Sequence, residues 1–266
     1  MKRALTSIAL VLVLVFSMLH PVALLIVIIL ISVLGLLEFY NIVKTSELKP
    51  PMVLASIFSA SLIATVFLNL TGYISFNYLV INIAFAMLIF LRELFSNKPK
   101  PFTNIAYTIL GVVYITLPLI CLLWLTYYPG PQYNWHLLLS FFIIVWVYDS
   151  FAYFSGILFG KHRLYERISP KKSWEGAIGG FIFALITAYI LSLFFAELSR
   201  PMWYIFASIT AIFATLGDLT ESMLKRSYCI KDSGKFFPGH GGVLDRFDSI
   251  FIAAPTIFIF LQLLGN

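Results

Sequence analysis

The chain has 266 residues, 61% hydrophobic and 11% charged, with a mean hydropathy of +0.95. Soluble domains carry about 25% charged residues, so this composition excludes one and predicts an integral membrane protein. The net charge of +6 and the pI near 9.2 do not imply a nucleic-acid partner, because the basic residues are distributed as a membrane topology would require.

Nine apolar runs follow one another, near residues 4–19, 21–43, 52–70, 74–92, 104–127, 135–159, 174–196, 201–221 and 249–264. About 20 apolar residues in a helix cross the hydrocarbon core. The first run follows Met1-Lys2-Arg3 in the manner of a secretory signal, but it ends in Met18-Leu19-His20-Pro21, a poor cleavage site, and is expected to be retained as a helix. With the N-terminus inside, every one of the 18 basic residues except Arg200 falls on an inner segment. Adding or removing one span would destroy that pattern. The fold class is therefore all-α, a polytopic membrane protein of about nine transmembrane helices with a cytoplasmic N-terminus and an outside C-terminus. Cys121 lies in a span and Cys229 in an inner loop, so neither a disulfide nor a cysteine metal site is expected. The sequon Asn69-Leu70-Thr71 is attributed to chance.

Carboxylates are placed unevenly. Only Glu38, Glu47 and Glu93 precede Asp149, and the other nine of the twelve lie from Asp149 onward. Residues 1–103 read as a scaffold of four spans, 104–134 as a connecting fifth span, and 135–266 as a catalytic region with inner loops 160–173 and 222–248. No internal repeat is visible, which argues against the repeated halves of many transporters.

Three polar clusters stand out. Asp149 lies about ten residues from the inner end of the sixth span, where an unpaired carboxylate costs about 2.5–3.5 kcal/mol on insertion scales. It serves either as a ligand or cation contact in a cavity, or as a helix-packing group hydrogen-bonded to Tyr or Ser. Gly156-x-x-x-Gly160-Lys161 is one residue short of a phosphate loop and suits close helix packing instead. In Ser169-Pro170-Lys171-Lys172-Ser173-Trp174-Glu175-Gly176, Ser169 or Ser173 is placed to cap a helix. The free amides and the two lysines there suit a phosphate, although topology-setting charge explains the lysines as well.

The third cluster runs from the end of the eighth span to the start of the ninth. Asp218 and Glu221 lie at i and i+3, Lys225 and Arg226 follow one turn later, and Asp245 and Asp248 form a second i, i+3 pair. Hard cations prefer carboxylate oxygens and bind phosphate oxygens at the same time. Convergence of Asp218, Asp245 and Asp248 would therefore make a metal site, since without a cation the three would repel one another. Pro238-Gly239-His240-Gly241-Gly242 supplies backbone able to turn tightly and approach a ligand. His240 is also explained as a hydrogen-bonded turn residue, and Lys235 as a solvated loop charge.

The segment Ser222-x-x-Lys225-Arg226, then Lys231-Asp232-x-Gly234, then Phe237-Pro238-x-His240-Gly241-Gly242-Val243-x-Asp245-Arg246-Phe247-Asp248 resembles the signature of the CDP-diacylglycerol synthases, also called phosphatidate cytidylyltransferases. The Ser169–Gly176 run and the Asp149–Gly160 stretch are similar to the same family. That resemblance implies transfer of a cytidylyl group from CTP to phosphatidic acid, giving CDP-diacylglycerol and pyrophosphate. It also implies dependence on Mg2+, with a second cation, K+ or another Mg2+. On this reading Asp218, Asp245 and Asp248 hold the metal. Lys225, Arg226 and Lys231 act with them in catalysis, and Lys171, Lys172, Ser173, Asp149, Ser222, His240, Gly241, Gly242 and Arg246 contact substrate. The expected partners are CTP, phosphatidic acid, the bilayer and a second copy of the chain, with the active site facing the cytoplasm and, in a bacterium, the cytoplasmic membrane as location. A CTP-dependent lipid alcohol kinase would release CDP instead, and a transporter would move substrate without converting it.

Overall fold

The computed structural model describes residues 2–234, 236 and 241–264, with side chains from Ile8 onward. Among the described residues seven helices are long and apolar enough to cross a membrane: α2 (Pro21–Val43), α3 (Met52–Leu70), α4 (Phe76–Leu94), α5 (Pro101–Leu125), α6 (His136–Phe159), α7 (Trp174–Phe194) and α8 (Arg200–Ser227). α1 (Lys2–Met18) and α10 (Ile250–Leu264) are apolar but shorter, and α9 (Leu244–Phe247) is a single turn. At 1.5 Å of rise per residue the 15 residues of α10 reach about 22 Å, less than the roughly 30 Å of a hydrocarbon core. The helices match the nine apolar runs in place, with seven of full spanning length. Residues 160–173, read from the sequence as a loop of an all-α chain, hold an antiparallel hairpin of β1 (Arg163–Tyr165) and β2 (Ser169–Ser173).

The chain folds as two compact units. The first comprises Met1–Tyr127, Pro131–Tyr133 and Asp232–Arg246. Its core is mainly aliphatic, with Leu36, Ile63, Ile89, Ile115 and Leu123 fully buried beside the aromatic Phe39 and Tyr40. Hydroxyls buried among these helices satisfy one another: Ser32 is 2.7 Å from Ser59, and Thr116 lies 2.9 Å from Ser59 and 3.1 Å from Ser32. Such bonds are the polar glue of helices that have no hydrophobic drive to associate in lipid. Thr116 closes the wide turn Val112–Thr116 within α5, and Tyr40 donates to the Thr108 carbonyl at 2.8 Å.

The second unit comprises Tyr128–Gly130, Asn134–Lys231 and Phe247–Asn266. Here α6 packs on α7, and α8 packs on α7 and α10. The reason is visible along α7. Gly176, Gly180, Ala184 and Ala188 recur every fourth residue and are buried, whereas Ile178, Ile182, Ile186 and Ile190 are exposed. Small side chains let the α6 backbone approach, and the isoleucine face suits lipid. A Cβ on Gly180 would lie 2.8 Å from the Tyr148 carbonyl oxygen, and one on Gly176 2.7 Å from that of Ala152.

Candidate active site

Ser173 ends β2 and begins α7. Its Oγ accepts from the Gly176 amide at 3.2 Å, so the helix cap falls to Ser173, while Ser169 pairs with Tyr165 in the hairpin. Gly156 and Gly160 crowd the same hydroxyl, since an added Cβ at either would lie 3.3 and 2.8 Å from it. That fixed start aims β2 and its lysines. Lys172 bonds Asp218 Oδ2 of α8 at 2.7 Å with both side chains about a quarter exposed, whereas Lys171 is exposed.

Asp218 also accepts from the Ser222 hydroxyl at 3.3 Å, one turn along α8. Opposite it, Asp248 follows α9 and takes the Ser249 amide at 2.7 Å. Gly217 makes this meeting possible: a Cβ there would lie 2.6 Å from the Asp248 carbonyl oxygen and 2.8 Å from that of Ser249. Burial first, and then the charge of Asp218, push the Asp248 carboxyl up to about 7, with Asp149 adding to the repulsion and Lys172 opposing it. Asp149 is itself exposed within α6 and accepts from Ser249 Oγ at 3.4 Å, which supplies the polar partner its depth requires. Beside it, Tyr148 makes a short hydroxyl contact with Thr215 of α8. The second unit thus brings Asp149, Lys172, Asp218 and Asp248 into one electrostatic group with a surplus of negative charge.

Of the other expected residues of this unit, Lys225 and Arg226 have partners of their own. Lys225 pairs with Glu221 one turn earlier at 2.5 Å, and the Arg226 Nε donates to the Ile168 carbonyl on the hairpin at 3.4 Å. Lys231 is exposed.

Asp245 belongs to the first unit, where its Oδ2 accepts from the Ser233 amide at 2.9 Å, the Ser233 hydroxyl at 2.9 Å and the Gly242 amide at 2.8 Å. Gly241 has φ +83°, and any side chain there would strike the same carboxylate. Arg246 is exposed, and His240 lies outside the described residues.

Carboxylate oxygens suit Mg2+, which binds through one or two carboxylates while keeping water and substrate oxygens. Among the described residues no group of three or more His, Cys, Asp or Glu side chains is placed to hold a metal ion. Asp218 with Asp248 fits the open kind of site, the repulsion between them being what a cation relieves.

Sequence reasoning missed Ser249, Ser233, Gly217 and Glu38. Glu38 alone carried a signal, a single carboxylate near the end of an otherwise apolar helix.

A profile of the Cytidylyltransferase family matches residues 1–264. The chain belongs to that family. It is a nucleotidyltransferase, and its relatives agree on one title. A phosphatidate cytidylyltransferase of Staphylococcus haemolyticus is 37% identical over 181 residues, 67% of each chain. One of Haemophilus influenzae is 47% identical over 139 residues, covering 50% of this chain and 48% of its own. A Staphylococcus aureus protein of the same title is 35% identical over 181 residues, again 67% of each chain.

Proposed function

We propose that the protein transfers a cytidylyl group from CTP to phosphatidic acid at the cytoplasmic face of a membrane. A phosphate oxygen of the lipid attacks the α-phosphorus of CTP, the bond from that phosphorus to the bridging oxygen breaks, and pyrophosphate leaves as CDP-diacylglycerol forms. The observation that carries the reading is the group of Lys172, Asp218, Asp248 and Asp149, acidic side chains with one paired lysine in a chain of this family. The attacking oxygen is already ionised near neutral pH, so the protein needs no covalent nucleophile and works by positioning and charge.

Asp218 and Asp248 would hold Mg2+, with Asp245 added as the resemblance implies, and a second cation, K+ or Mg2+, accompanies it. The bound cation supplies neutralisation of the reacting phosphates. Lys172 is held beside the carboxylates, ready to exchange Asp218 for a phosphate oxygen. Lys171, Lys225, Arg226 and Lys231, with Arg246 as the resemblance implies, would neutralise the anions, Ser222 orients Asp218, and Asp149 extends the acidic group into the α6 span. Ser173 serves by fixing β2. His240, Gly241 and Gly242 are assigned to the nucleotide phosphates by the resemblance.

The nine-span topology with the N-terminus inside rests on the inner placement of all basic residues but Arg200. The same bias supports a site on the cytoplasmic side, and the reading includes a homodimer in the bilayer. The test is incubation of the purified protein with α-labelled CTP and phosphatidic acid in Mg2+. Label in the lipid fraction with equimolar pyrophosphate is expected. CDP as product would make it a lipid kinase, and accumulation of unconverted substrate in vesicles a transporter.

A further inference from the structure

Glu38 lies on α2 in the half of the chain that reads as scaffold, five residues before the helix ends at Val43. A carboxylate in an apolar span is costly unless it has a specific use. Its Oε2 accepts from the Leu244 amide at 3.0 Å and lies 3.4 Å from the Ser233 hydroxyl. The Leu244 side chain packs over Gly35, one turn earlier on the same helix face, where an added Cβ would meet it at 3.5 Å. Gly234 and Gly242 bring two further stretches of backbone against the carboxylate: a Cβ on Gly234 would lie 2.5 Å from Oε1, and one on Gly242 would collide with Oε2. Ser233 stands between two acids, donating to Asp245 Oδ2 at 2.9 Å and facing Glu38. One side chain of α2 therefore touches both ends of segment 232–246, across a sequence separation of about two hundred residues, and reaches Asp245 through a shared hydroxyl.

We propose that Glu38 is a positioning residue for the reaction, clamping Ser233 to the start of α9 so that Asp245 is presented in one orientation. This rests on the cytidylyl transfer proposed above. The clamp keeps the two ends of the segment together whatever occupies the site, and its effect passes through Asp245 rather than through contact with substrate. A misplacement of about 1 Å at a reacting group costs on the order of a hundredfold in rate, which sets the scale of the expected effect.

The test combines two readouts on the full-length protein in detergent: hydrogen exchange of peptides covering residues 232–246, and kcat and KM for CTP and phosphatidic acid. Glu38→Ala should speed exchange at Ser233, Gly242 and Leu244, and lower kcat by about 10- to 100-fold, with KM for phosphatidic acid unchanged. Glu38→Gln, which keeps the length and one acceptor, should recover part of that kcat, and Ser233→Ala, which removes the hydroxyl shared by Glu38 and Asp245 but leaves the Ser233 amide on Asp245, should fall between. If Glu38→Ala fails to fold, the latter two variants carry the test. Wild-type exchange in these variants would overturn the proposal, as would faster exchange with wild-type kcat. A wild-type protein inactive with CTP and phosphatidic acid, whose exchange still rises in Glu38→Ala, would remove the reaction and leave the clamp standing.

Discussion

Two aspartates three residues apart, Asp245 and Asp248, are treated by the fold in opposite ways. Asp245, in the first unit, is met by donors: its Oδ2 takes two amides and a hydroxyl. Asp248, in the second, is half-buried in electrostatic range of Asp218 and Asp149, and its carboxyl is pushed up to about 7. Donors around a carboxylate hold a backbone in shape, whereas like charges around one store repulsion that only a proton, a lysine or a cation relieves. The first arrangement is built to stay as it is, and the second is built to receive something.

The sharpest way to break that contrast is to neutralise each acid in turn. Asp218→Asn and Asp248→Asn should each abolish turnover, a loss of at least about a thousandfold if each holds the metal. Because Asp248→Asn also removes buried repulsion, the metal-free variant should melt at the wild-type temperature or a few degrees above it in a thermal scan. Asp245→Ala should lose activity too, but with a lower Tm, since it leaves three buried donors without their acceptor. Equal Tm shifts for the two aspartates would erase the distinction.

The next effect concerns the lysines. Lys172→Ala removes the cation that offsets Asp218 and should lower kcat/KM by about a hundredfold, whereas Lys171→Ala, one residue away and exposed, removes a solvent-screened charge and should cost about tenfold or less. Steady-state kinetics on the two variants decides it. Smaller again is Gly217→Ala, whose added methyl meets the Asp248 carbonyl oxygen at 2.6 Å. It should lower kcat by about tenfold by forcing Asp248 away from Asp218, with far-ultraviolet circular dichroism unchanged.

What the sequence revealed follows what is local. Hydropathy marked each apolar helix because spanning length is a property of consecutive residues. Ser173 was legible as one of two candidate caps, with Ser169, because a cap and its partner, here Gly176, lie three residues apart. The Gly156 and Gly160 pair read as packing glycines from their spacing on one helix, and both lie against the Ser173 hydroxyl that caps the next. The β1–β2 hairpin was not legible, since β2 contains Pro170 and two lysines and carries no alternating apolar pattern. Nor was the division of the chain, in which α5 and residues 232–246 join the first unit. Glu38 shows why: its significance depends on Leu244, 206 residues later, and no window along the chain contains both. The metal reading came from residue types and spacing, and spacing alone does not distinguish an aspartate surrounded by amides from one facing another acid.

The central claim is that the acids of the second unit, Asp218 and Asp248, hold a divalent cation, and Mn2+ titration followed by electron paramagnetic resonance on the full-length protein tests it most directly. Saturable Mn2+ binding, displaced by Mg2+ and lost in both Asp218→Asn and Asp248→Asn, is the predicted result. Binding that persists in both variants, or a wild-type protein that takes up no Mn2+ with or without CTP, would contradict it.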